Sequence, residues 1–201
     1  MSTAVVAAAG RRTPSAVIGG LPCGRRVPRG QVRWYLIRVR EGSEQSTCER
    51  LLRLVPRSVL RDCFVLRRES WRKNAGAWHL QVSVAYKGYV FAVTDDPASL
   101  YKALSQLSVS AQIAGADGRA WMPLSLDAQA WFERCADERH VLRSSVAVIE
   151  DGELHVIEGP LVGCEKSICD VDRHHRRCMV SVPGSNGSFT ELMPLVVPVR
   201  N

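Results

Sequence analysis

One short run in this chain of 201 residues concentrates positive charge: Arg173-His174-His175-Arg176-Arg177. Guanidinium groups at that density can hold phosphates, and their planar forks match guanine edges in a distorted RNA groove. Lys166 is close enough in sequence to support such a contact. The imidazoles can add stacking, make binding pH-dependent, or stand by. The bland alternative is a solvated loop. Against it stands the setting, because residues 137–201 carry seven basic and ten acidic groups, a net −3. A positive knuckle in an otherwise acidic third of the chain predicts contact with RNA.

Other chemistries find less support. Cys164, Cys169 and Cys178 lie near His174 and His175, which raises the question of zinc. Their spacings do not match paired zinc ligands, no CxxC pair occurs among the seven cysteines, and two of the three fall within predicted strands. Cys48, Cys63 and Cys135 sit among apolar residues. The cysteines therefore read as reduced core thiols, with no metal and no cofactor expected. Ser, His and Asp are all present, but without a nucleophile elbow, a phosphate loop or a metal-binding helix, and the acids form no obvious carboxylate pair. Catalysis is not expected.

The elements that must position the basic run follow from periodicity. Residues 1–32 hold five arginines and no acid, are rich in Ala, Gly and Pro, and read as a disordered basic leader. Arg33 to Arg40 is an apolar strand with charged ends. Ser43 is a candidate N-cap for a helix with Cys48, Leu51, Leu52 and Val55 on one stripe, stopped by Pro56. Cys63 to Leu66 and Trp78 to Ala85 predict strands around the polar turn 72–76, and Tyr89 to Val93 another. In that strand Tyr89 and Phe91 share one face, while Tyr86, Gly88 and Val90 share the other. Asp96 caps a second helix that starts at Pro97 and buries Leu100, Ala103, Leu104 and Leu107. A third starts near Ser125 and buries Ala128, Trp131, Phe132 and Cys135. The order predicts an α+β unit over residues 33–136, an antiparallel sheet with packed helices.

Asp137 to Ser144 is charged and aperiodic, a natural linker. From 145 to 201 come five short apolar runs, Val146 to Ile149, Leu154 to Ile157, Ser167 to Val171, Cys178 to Val182 and Leu192 to Val199. Turn residues separate them, among them Pro183-Gly184-Ser185-Asn186-Gly187. That pattern predicts a small SH3-like β-barrel. With 46% hydrophobic residues and five tryptophans the chain can build a core, yet nothing approaches the ~18 consecutive apolar residues of a membrane span. The apolar start, Met1 to Ala9, precedes Arg11 and Arg12 instead of following them, the wrong order for a secretory signal. A cytoplasmic monomer is expected.

Three stretches together resemble the NusG family of transcription elongation factors: Trp34-Tyr35 with Gly42-Ser43-Glu44, then Tyr86-Lys87-Gly88-Tyr89-Val90-Phe91, then Glu158-Gly159-Pro160-Leu161-Val162-Gly163. The last resembles the opening of a KOW motif. Trp78-His79-Leu80 and the basic run are similar to LoaP-like specialised paralogues. The resemblance implies a polymerase-binding domain followed by a KOW domain that binds a structured leader RNA, and a role in antitermination along particular operons. It further implies an aromatic surface facing the clamp helices of the largest RNA polymerase subunit, with Trp34, Tyr35, Tyr86, Gly88, Tyr89 and Phe91 as candidates, and Arg173, His174, His175, Arg176, Arg177 and Lys166 toward nascent RNA. Lys87 replaces the usual hairpin proline, and Lys166 stands where the KOW pattern has glycine, a site of strain if φ is positive. Pro183 replaces an aromatic that helps recruit Rho or a ribosomal protein, which puts both contacts in doubt. A general elongation factor and a free-standing RNA-binding or ribosome-associated KOW protein are the competing readings.

Overall fold

The computed structural model describes residues 30–107, 112–113, 123–184 and 187–198. All but the last three residues of the expected leader lie outside that range, as do Ser185, Asn186 and Val199 of the expected final turn and strand.

The first half is an α+β unit. Strands β1 (Arg33–Arg38), β2 (Asp62–Phe64), β5 (Tyr89–Thr94) and β6 (Gln112–Ile113) form a sheet in the order β2-β5-β1-β6, with antiparallel pairing throughout. β1 is an unbroken apolar run because both of its faces are covered. Ile37 and Val39 join one core cluster with Cys48 and Leu51, while Trp34 and Leu36 join another with Phe64, Phe91 and Phe132.

The helices follow their stripes. α1 (Glu44–Leu54) buries Cys48 and Leu51 and stops ahead of Pro56, whose ring disfavours helix in the residue before it. Ser43 occupies the N-cap position, yet its hydroxyl donates backwards to the Arg40 carbonyl at 2.6 Å instead of capping. α2 (Pro97–Gln106) and α3 (Leu126–Cys135) are capped as their sequences predict. Asp96 Oδ1 accepts from the Ser99 amide at 3.1 Å, and Ser125 Oγ from the Ala128 amide at 3.2 Å.

The middle of this half departs from expectation. Cys63–Leu66 does not flank a turn at 72–76. Instead β3 (Arg67–Asn74) runs through that segment and pairs with β4 (Ala77–Val84), leaving only Ala75 and Gly76 to reverse the chain. Both have positive φ, 48° and 84°, as in the two-residue turns that match strand twist. The charged residues of β3, Arg67, Arg68, Glu69, Arg72 and Lys73, hide it from any search for apolar runs. The aperiodic segment 137–144 is also structured. Asp137 accepts from the Val141 amide at 2.8 Å and from Arg143, and β7 (Val141–Leu142) pairs in parallel with β3 at Arg67 and Arg68.

The second half contains β8 (Ser145–Glu150), β9 (Glu153–Glu158), β10 (Ile168–Asp172), β11 (Arg177–Gly184) and β12 (Gly187–Val196), in the order β10-β11-β12-β8-β9. A 3-10 turn at Glu165–Ser167 touches both β9 and β11, so the sheet curls as a barrel does. Gly159 is required where it stands. Its φ is 95°, and a Cβ there would lie 2.7 Å from the Ser144 carbonyl oxygen and from Ser145 Cα. Lys166 escapes the anticipated strain: it lies in the 3-10 turn, outside the positive-φ set, and Gly163 takes the left-handed position at φ 76°.

The halves share a core. One cluster joins Tyr86, Phe91 and Phe132 to Val180, Val182, Met193 and Leu195, α3 packs on β11, and Phe132 stacks on Phe189 with ring centroids 6.2 Å apart.

Candidate functional site

The chain reverses at Tyr86-Lys87-Gly88-Tyr89, where the Tyr89 amide donates to the Tyr86 carbonyl at 3.2 Å and Gly88 has φ 75°. Lys87, in place of proline, is exposed and pairs with Glu41 at 3.1 Å. Glu44 Oε1, although buried, accepts from the Gly88 amide at 2.7 Å. Two sequence motifs forty-four residues apart are therefore joined by one hydrogen bond, from a carboxylate at the first turn of α1 to a backbone amide.

This turn breaks the face pattern inferred from alternation. Tyr86, Tyr89 and Phe91 all enter the same cluster, and Val90 alone enters the other, because β5 begins only at Tyr89. Trp34, Tyr35, Tyr86, Gly88 and Phe91 are buried and Tyr89 is half-buried. Trp34, Tyr86, Tyr89 and Phe91 share one cluster, and most of the expected aromatic surface is covered. Tyr35 is fully buried, and Tyr86 is met by the second half.

The cover centres on Glu191 of β12. Its carboxylate accepts from Arg68 Nη2 of β3 through one oxygen and from the Tyr86 hydroxyl through the other. Burial pushes the Glu191 carboxyl above its ordinary range, with the Arg68 charge and the two hydrogen bonds opposing. Burial and the Glu191 charge likewise push the Tyr86 phenol well up, so the ring stays a neutral donor. Arg68 Nε is buried and has no hydrogen-bond partner among the described residues. Beside this seam Glu69 accepts from Arg143 and from the Ser144 amide, and Trp71 Nε1 donates to Ser144 Oγ at 3.1 Å.

The basic run forms the β10–β11 tip, at the position the sequence predicts. Asp172 organises it: its carboxylate accepts from the His175 amide at 3.0 Å, contacts His175 Nδ1 at 2.7 Å, and accepts from Arg177 Nε at 3.1 Å. Burial raises the Asp172 carboxyl, but these bonds outweigh it and hold the group below its ordinary range. Arg173 and His174 are exposed. Arg176 turns away from them, and its guanidinium lies over the rings of Trp71 and Trp78, 4.8 and 4.6 Å from the centroids. Lys166 is exposed on the separate 3-10 turn. Near it Cys164 is buried against Arg134, Cys178 is buried, and Cys169 is exposed. Among the described residues no group of three or more metal-ligating side chains comes together.

Sequence reasoning missed Arg68, Trp71 and Glu191, and singled out Trp78 only as part of a family-like stretch. For Glu191 a signal existed, since it is the one acid inside the run from Phe189 to Val197. An unpaired carboxylate on a buried strand demands a partner.

No protein-family model matches the chain, and no curated protein matches it. Among solved structures, one described as "Domain interaction in Thermotoga maritima NusG" is similar, at 13% sequence identity over 82% of this chain and 94% of that one, with a TM-score of 0.43. A similarity that loose assigns no function.

Proposed function

We propose that the chain is a NusG-type transcription factor that binds RNA polymerase through its first half and nascent RNA through its second. The reading rests on the three family-like stretches and on their physical arrangement. The Gly42-Ser43-Glu44 and Tyr86-Lys87-Gly88 stretches meet at one hydrogen bond, and the KOW-like stretch carries a glycine whose Cβ would collide with backbone. The observation that carries the RNA half is the β10–β11 tip, where Arg173 and His174 are exposed on an otherwise acidic unit.

A specialised antiterminator is the finer form of this reading: a leader RNA and the polymerase clamp helices bridged by one chain, so that pausing becomes rarer along particular operons. Two weak contacts on one chain gain from effective concentration, so neither needs high affinity alone. In the arrangement described above, Tyr86 is covered by the second half, so polymerase contact through that ring requires the halves to part. The seam suits separation. It contains a buried carboxylate pushed toward neutrality and a buried guanidinium nitrogen without a partner among the described residues, both of which lower its net stability.

Purified transcription through a terminator, with and without an upstream leader, tests the proposal. Read-through should require the leader, and Arg173→Ala combined with Arg177→Ala should abolish this leader-dependent read-through while binding to the clamp helices survives. Read-through on any template would favour a general elongation factor. RNA binding with no affinity for the clamp helices would leave a free-standing RNA-binding protein.

A further inference from the structure

Arg176 is the least expected member of the basic run. The tip that carries it belongs to the second half, whereas Trp71 and Trp78 belong to the β3–β4 hairpin of the first. The two tryptophans are brought to one face by the register, in which Lys73 opposes Trp78 and Trp71 opposes Leu80. Arg176 itself sits at φ 53°, a left-handed conformation unusual for arginine. Its guanidinium makes no hydrogen bond or ion pair with any described residue. Among the described residues, the charge is held by the two ring faces.

The surroundings make that hold weak. Lys73 shares the face of the clamp on β3, and Arg173 and His174 are exposed at the tip. Asp172 is already shared between His175 and Arg177. A cation over an indole that water still reaches is bound less strongly than a guanidinium in a charge-assisted pair with phosphate. A polyanion arriving at this positive cluster therefore competes favourably for Arg176.

We propose that Trp71 and Trp78 form an aromatic clamp that latches the two halves through Arg176, and that RNA opens the latch by taking the same arginine. The proposal rests on the reading of the tip as an RNA contact. RNA is the favoured occupant because the donors that leave the rings are a planar guanidinium fork beside other cations, which suits phosphates and guanine edges. RNA binding and separation of the halves then become one equilibrium. Any change that weakens the clamp removes a competitor and tightens RNA binding.

The test is titration of a fluorescein-labelled stem-loop RNA, with guanines in its loop, into the full chain and its variants at fixed salt. Trp78→Ala should bind the RNA more tightly than the unaltered chain, by about two- to tenfold if the latch has the strength of an ordinary cation–π pair. Trp78→Phe, which keeps a ring, should lie between them. Trp71→Ala should behave as Trp78→Ala does, despite the further loss of its bond to Ser144. Unchanged or weaker binding in both alanine variants would overturn the latch while leaving the tip as an RNA contact; weaker binding would mean instead that the rings help to hold RNA. Failure of the unaltered chain to bind, or equal tightening toward duplex DNA, would overturn the reading and the latch together.

Discussion

Two carboxylates, one in the seam and one at the tip, meet the same kind of partner and respond in opposite ways. Glu191 pairs with Arg68 and accepts from Tyr86, while Asp172 pairs with Arg177 and with His175. The first carboxyl is pushed up and the second held down. An adjacent arginine does not decide the outcome; access to water does. In the seam, desolvation of the charged form outweighs the guanidinium, and at the tip the hydrogen bonds to His175 and Arg177 together outweigh the desolvation. One region is accordingly suited to close over apolar rings and the other to remain charged in water.

The largest expected effect comes from breaking the seam. Glu191→Ala leaves the Arg68 charge without its carboxylate in a largely buried position, and denaturant unfolding should show a loss of roughly 3 kcal/mol. A loss no larger than that of an ordinary surface change would mean that the seam contributes little and that the two regions are more alike than they look. Tyr86→Phe removes only the donor to Glu191 and should lower stability by about 1–2 kcal/mol in the same measurement.

pH separates the regions by sign. Because the folded Glu191 carboxyl is raised, its contribution is complete below its ordinary value of 4.5 and is lost as pH rises through the elevated value. Because the folded Asp172 carboxyl is depressed, its contribution is complete above its ordinary value of 3.8 and is lost as pH falls through the lowered one. Stability measured across the acid range should lose the first dependence in Glu191→Gln and the second in Asp172→Asn. A shared dependence on one side would erase the contrast. The smallest effect belongs to Arg173→Ala. This exposed residue should leave stability within about 0.5 kcal/mol while weakening RNA binding.

Much of this was legible in the chain. The stripes of Cys48 and Leu51, of Leu100 and Leu104, and of Ala128, Trp131, Phe132 and Cys135 place three helices, because a 3.6-residue period with one apolar face has one economical packing. The five runs after residue 145 place five strands for the analogous reason. β3 was not legible, since Arg67, Arg68, Arg72 and Lys73 make a strand that is held by register and twist and not by an apolar face. The order of segment 137–144 was hidden as well, because it arises from Asp137 folding back on its own backbone amides and on Arg143.

The sequence by itself determined the two kinds of unit and the place of the cationic tip, since both follow from local periodicity and local charge. Only the tertiary structure decided that Tyr86 is covered, that Glu191 and Arg68 find each other 123 residues apart, and that Arg176 lies over Trp71 and Trp78. Those outcomes depend on which apolar face meets which. A face that is buried in its own chain and a face that waits for a partner are written with the same residues.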